Sequence, residues 1–205
     1  MTTFVLRPFL DAVGLATETE APVRDDVSLV REAVAGQREA FAELVRRHQA
    51  KVRGLLLRLS GGDGSLADDL AQETFLRAYR GLSGFEGRSA FSTWIYRIAY
   101  NVYLSQSGRR QRAAVVEAGF GHQRAWVDAQ SGSRSELRRD LQAAIAALPE
   151  RYRGVVVLYY AEGVNYPEIA EILDIPVGTV KTHLHRAKRV LRERLDGWED
   201  TGLDE

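Results

Sequence analysis

Residues 165–195 read NYPEIAEILDIPVGTVKTHLHRAKRVLRERL, and this stretch decides the fold. Asn165 carries the short acceptor side chain of a helix N-cap, and Pro167 falls in the first turn, where a missing N–H costs little. Ile169, Ala170 and Leu173 are spaced to face inward. Asp174-Ile-Pro176 breaks the chain, and a second helix opens at Val177, with Val180, Leu184, Ala187 and Leu191 as its buried stripe. The small Ala170 lets the two helices approach, Val180 packs against it and Ile175 plugs the turn. The pattern predicts a helix-turn-helix, whose second helix enters the major groove with its N-terminal residues toward the base edges. The turn position that usually prefers glycine is Asp174, and aspartate tolerates left-handed backbone better than most residues. Off the stripe, the second helix leaves Thr179, Lys181, Thr182, His183, Arg186 and Arg189 for water or DNA. Arg186 suits a base edge or a phosphate, and Lys181 and Arg189 suit phosphates. His183 and His185, two apart on a helix, point to nearly opposite sides, so no metal site is expected.

Outward from that motif, almost every periodic segment has a helical period. From Phe41, a stripe of Leu44, Val45, His48, Val52, Leu55, Leu56 and Leu59 predicts one helix, stopped by Ser60-Gly-Gly-Asp-Gly64. A second start is expected at Ser65, with Leu66, Leu70, Phe75, Leu76 and Tyr79 as its apolar stripe to about Arg80. Residues 81–87 read as a loop, and an aromatic-rich helix is expected from about Ala90 to Ser105. Residues 106–135 are basic and then Gly/Ser/Gln-rich, which reads as a linker. Helices at about 135–147, 150–161, 167–173 and 177–195 complete an all-α chain of two small helical domains. Each is small enough that marginal stability on its own is expected.

The 205 residues carry 28 basic and 28 acidic side chains, a formal charge of zero, but the charge is unevenly spread. Residues 87–116 hold Arg88, Arg97, Arg109, Arg110 and Arg112 and no acid; residues 176–196 hold six bases against Glu193 and Asp196. Two separated basic patches suit two footprints on one long polyanion. Zero cysteines exclude a disulfide framework, a zinc ribbon, an iron–sulfur cluster and a cysteine nucleophile. No Walker loop, HExxH or GxSxG occurs, so neither a catalytic residue nor a cofactor is expected. The longest apolar run, Val155–Ala161, falls far short of the ~20 residues that span a bilayer. Phe4-Val-Leu6 ahead of Arg7 and Pro8 is no secretory signal, and the expected address is the cytoplasm.

Two further stretches, DDLAQETFLRAYRGLSGFEGRSAFSTWIYRIAYNVYL at 68–104 and LPERYRGVVVLYYAEGVNYPEIAEIL at 148–173, complete a resemblance. The chain resembles a bacterial sigma factor of the sigma-70 family, in the extracytoplasmic-function (ECF) group that keeps only the second and fourth sigma domains. The resemblance implies a second sigma domain at 27–112, a flexible linker at 113–134 and a fourth sigma domain at 135–196. An extension at 1–26 and an acidic tail at 197–205 flank them. It implies that Asp69, Gln72, Glu73 and Phe75 grip the β′ clamp helices of RNA polymerase core, and that 148–163 includes the part that meets the β flap. Phe85, Gly87, Arg88, Ser89, Ala90, Trp94, Arg97 and Asn101, with Arg109, Arg110 and Arg112, match the part that opens the downstream (−10) promoter element. Lys181, Thr182, His183 and Arg186 match positions that read the upstream (−35) element. The family often has an acid-containing stretch after the Asn101 helix, whereas this chain has Leu104-Ser-Gln-Ser-Gly108. An anti-sigma factor is a common partner in the group. The other function class weighed is a stand-alone helix-turn-helix regulator that dimerises through its N-terminal helices.

Overall fold

The computed structural model describes residues 24–117 and 134–194, with side chains over 24–109 and 140–194. The extension at 1–23, the linker interior at 118–133 and the acidic tail at 197–205 lie outside the described residues.

Capping residues set where the first helices begin. Asp25 accepts from the Ser28 N–H at 2.7 Å and starts α1 (Asp26–Val34), a helix that the sparse apolar pattern of this stretch does not announce. Gly36, at φ +98°, turns the chain into α2 (Arg38–Leu59). Gly61 and Gly62, both at positive φ, end α2. Asp63, rather than Ser65, caps α3 (Gly64–Gly81) by accepting the Leu66 N–H at 2.9 Å. A short 3-10 turn (Leu82–Gly84) and a loop lead to α4 (Phe91–Glu117). This helix runs well beyond its expected end at Ser105 and takes in the first part of the expected linker. Gly108 is its one glycine, standing before a run of Arg, Gln and Ala, and one glycine costs only about 1 kcal/mol.

The second half comprises α5 (Arg134–Ala146), α6 (Glu150–Val156), a π turn at Val157–Ala161, α7 (Tyr166–Leu173) and α8 (Val177–Arg194). Asn165 and Glu168 form a reciprocal capping box at the start of α7. Asp174 lies at φ 55°, ψ 49°, the left-handed geometry that the turn demands. Among the described residues there is no strand, and no helix is long and apolar enough to cross a membrane.

Leu29, Leu44, Val52, Leu55, Leu56 and Ile95 fill the first bundle, and Leu158, Ile169, Ile172, Val180 and Leu184 fill the second. The two cores are continuous. The joint is α4, which has two buried faces: Phe91, Ile95, Ala99 and Val102 on one, Tyr96, Tyr100 and Tyr103 on the other. The Tyr96 hydroxyl donates to Glu162 at 2.9 Å, and the Tyr103 hydroxyl accepts from Arg153 at 2.8 Å. Gly154 lies so close to Tyr100 that a Cβ there would stand 2.8 Å from the ring.

Candidate polymerase- and promoter-binding faces

The first face lies between α2 and α3. The inward side of α3 is taken by Leu66, Ala67, Leu70, Thr74 and Ala78. Thr74 can be buried because its hydroxyl donates to the Leu70 carbonyl at 2.7 Å. This corrects the expected stripe: Leu76 and Tyr79 face out, 46% and 52% exposed, and Phe75 is half-buried at the edge. With Phe41, Ala42, Val45, Arg38 and Gln72 they line an open apolar groove, in which Phe41 meets Tyr79 edge-on at 4.9 Å. Asp69 and Gln72 are exposed, while Glu73 is paired with Arg77 at 2.7 Å. The groove thus gathers Gln72 and Phe75 and adds Phe41, Leu76 and Tyr79. The available signal was a helix carrying more large apolar residues than one buried stripe can hold.

The second face is the start of α4 and the loop before it. Phe85 sits 5.6 Å from Phe91 and 5.5 Å from Trp94, both edge-on, in a half-buried aromatic cluster. Phe91 is buried and belongs to the core. Gly87, at φ +71°, supplies the turn that brings Arg88 and Ser89 to the surface, and Arg88 pairs with Glu86. Ala90 accepts the Trp94 N–H through its carbonyl. Trp94, Arg97 and Asn101 follow at helical spacing; Arg97 and Asn101 are exposed, as is Arg109. The side chains of Arg110 and Arg112 lie outside the described residues. Two of these side chains are engaged from the other half of the chain: Ser89 donates to Glu171 at 2.7 Å, and Arg97 lies 3.9 Å from Asp174.

The third face is α8. Val180, Leu184 and Ala187 are buried, and Lys181, Thr182, Arg186 and Arg189 are exposed. The Thr182 hydroxyl donates to the Gly178 carbonyl at 2.9 Å, and Thr179 is half-buried. His183 is half-buried. It turns inward, edge-on to the Tyr152 ring at 5.3 Å with a buried Nδ1, because residue 183 falls between the buried positions 180, 184 and 187. Burial first, and then the Arg151 and Arg186 guanidiniums, hold its pKa below the ordinary imidazole value. The exposed histidine of α8 is His185. Hydrogen bonding from Arg151, then Arg186, lowers the Tyr152 phenol below its usual value. Among the described residues, no group of His, Cys, Asp and Glu is arranged to hold a metal ion.

Comparison with known proteins follows the same division. Residues 44–113 match the family model for sigma-70 region 2, and residues 138–191 match that for sigma-70, region 4. The chain is 38% identical over 181 residues to the RNA polymerase sigma-H factor of Pseudomonas aeruginosa, covering 83% of this chain and 93% of that one. It is 38% identical over 182 residues to the ECF RNA polymerase sigma-E factor of Haemophilus influenzae, covering 83% and 95%. The chain belongs to the ECF sigma factors. This sigma factor shares its architecture with the sigma factor RpoE of Bartonella quintana, solved in complex with the anti-sigma factor NepR. The two superpose with a TM-score of 0.63 at 29% identity, covering 76% of this chain and 96% of that one. Membership makes it a transcription initiation factor and favours this reading over the stand-alone regulator.

Proposed function

We propose that this sigma factor docks on RNA polymerase core through the α2–α3 groove and reads two promoter elements with α4 and α8. Residues 27–112 and 135–196 act as its two working units. Asp69, Gln72, Glu73 and Phe75, joined by Phe41, Leu76 and Tyr79, take the β′ clamp helices, with apolar anchoring at the centre and polar groups at the rim. Residues of 148–163 meet the β flap. Phe85, Gly87, Arg88, Ser89, Ala90, Trp94, Arg97, Asn101, Arg109, Arg110 and Arg112 take the downstream element. There, unstacking a base costs a few kcal/mol, offset by aromatic stacking and edge hydrogen bonds. Lys181, Thr182, His183, Arg186 and Arg189, with Thr179 at the helix start, take the upstream element.

The observation that carries this reading is the solvent-facing pair Leu76 and Tyr79 on a helix that already buries a full stripe. Exposed large side chains gathered in a groove suit a macromolecular partner. The polymerase makes the RNA, and the sigma factor contributes binding and selection. Its place of action is the cytoplasm, where polymerase and chromosome meet. An anti-sigma factor is a further partner, supported by the two-protein structure of the Bartonella relative.

Run-off transcription with purified core polymerase on a genomic library tests the proposal. The expected result is a discrete set of start sites sharing an upstream and a downstream motif. Polymerase that starts no more selectively with the protein than without it would overturn the reading.

A further inference from the structure

We infer that His48 is a positioning residue of the downstream reader: Asp26 of α1 fixes its ring, and the ring sets the aromatic cluster of Phe85, Phe91 and Trp94. The inference rests on the reading of Phe85 and Trp94 as downstream contacts.

Helix α1, at residues 26–34, precedes the stretch matched by the sigma-70 region 2 model, which starts at residue 44. None of the proposed polymerase or promoter contacts lies on it. Yet α1 holds one buried polar group of the first bundle in a single orientation. His48 lies on the dry stripe of α2, one turn after Leu44 and one turn before Val52. Its Nε2 stands 2.8 Å from one carboxylate oxygen of Asp26. The other oxygen takes Arg47 at 3.2 Å. Arg47 in turn donates to Glu43 at 2.7 Å and to the Arg24 carbonyl at 2.6 Å. Asp26 is thus held between two neighbouring side chains of α2. A buried imidazole–carboxylate pair adds little net stability over an apolar side chain of similar volume, so what it supplies here is orientation.

The oriented ring leads to the start of α4. His48 lies 5.0 Å from Phe91, with the two planes tilted by 60°. Phe91 is buried and forms the floor of the cluster: Phe85 stands 5.6 Å from it and Trp94 5.5 Å, and those two are 5.5 Å apart. Aromatic pairs favour edge-on and offset geometries, so a turn of the Phe91 ring carries both neighbours with it. Helix α1 also packs on the 3-10 turn Leu82–Gly84, and the Phe85 N–H donates to the Leu82 carbonyl at 3.1 Å. Phe85 is therefore reached from α1 by two routes, one through the His48 and Phe91 rings and one through the backbone of the turn.

Phe85 and Trp94 are half-buried, each with part of its ring open to solvent. Rings that are to stack on an unpaired base bind it best when they already stand in the right plane. A fixed platform loses less freedom on binding than a loose one. His48 touches no DNA and acts through Phe91.

The test uses the full-length chain with 5-fluorotryptophan at its three tryptophans, Trp94, Trp126 and Trp198. Trp94→Phe identifies the Trp94 fluorine resonance. Asp26→Ala and His48→Leu break the pair from either side, and Asp25 still caps α1 in the first of them. Glu32→Ala, which releases α1 from Arg24 and leaves the pair whole, is the control. Both pair variants are expected to shift the Trp94 resonance. Assembled with core polymerase, they are expected to bind a single strand bearing the downstream element of a promoter recovered by run-off about tenfold more weakly, as when one stacked base is lost. Their retention on immobilised core polymerase is expected to stay parental, and Glu32→Ala is expected to match the parent throughout. An unmoved Trp94 resonance in both variants, a moved resonance with undiminished strand affinity, or equal losses in Glu32→Ala would each overturn positioning by His48. Phe85→Ala and Trp94→Ala in the holoenzyme separate the underlying reading. If both keep full strand affinity, the cluster is no downstream contact and the role of His48 falls with it. If they lose affinity and the pair variants do not, only His48 is excluded.

Discussion

At the scale of single residues, the most informative positions are those where backbone geometry or burial overrides side-chain type. Asp174 was legible in advance, because a turn between two helices needs a left-handed residue and no glycine was at hand. His183 was not legible. Its neighbours at 182 and 186 are exposed, and only the packing of α8 on α6 reveals that 183 faces Tyr152. That placement predicts a pH dependence. Burial, and then Arg151 and Arg186, depress the imidazole below its ordinary value of 6.5, so on acidification the unfolded chain takes up the proton first. This contribution to stability is complete above about 6.5 and declines as the pH falls from there through the folded-state value. Thermal melts between pH 7.5 and 5 by circular dichroism, at roughly half-unit steps, should show a falling midpoint whose slope is shallower in His183→Gln. Equal slopes in the two proteins would contradict the buried placement.

At the scale of elements, amphipathic stripes were readable where a helix has one dry side and obscure where it has two. The stripe of α2 from Leu44 to Leu59 was readable because its opposite side is polar or charged. In α4 the buried residues 91, 95, 99 and 102 alternate with 96, 100 and 103, so the apolar pattern runs round the helix and names no single face. In α3 the inward side is lined partly by Ala67, Thr74 and Ala78, small residues that periodicity undervalues, while the larger Leu76 and Tyr79 look outward. For the docking groove, Leu76→Ser combined with Tyr79→Ser should weaken binding to polymerase core by about tenfold or more, the cost of removing a central apolar anchor. The same change should leave the helical circular dichroism nearly intact, since both side chains are half exposed. Unaltered retention on immobilised core polymerase would rule out the groove as the docking site.

At the scale of the whole molecule, two units too small for a large core of their own share one, through the tyrosine face of α4. No local pattern in the sequence announces this, because the residues that meet are as far apart as Arg58 and Glu162. Continuity of the core predicts a single calorimetric unfolding transition for the parent chain. Gly154→Ala should uncouple it into two, the less stable unit losing roughly 1–3 kcal/mol to overpacking and melting first. A variant that still melts in one step at the parental temperature would show that the joint tolerates the methyl group.

The groove of Phe41, Phe75, Leu76 and Tyr79 stands bare while Ser89 and Arg97 are engaged. Oily surface left wet on a lone protein is costly, so whichever partner takes the trough gains the free energy of drying it.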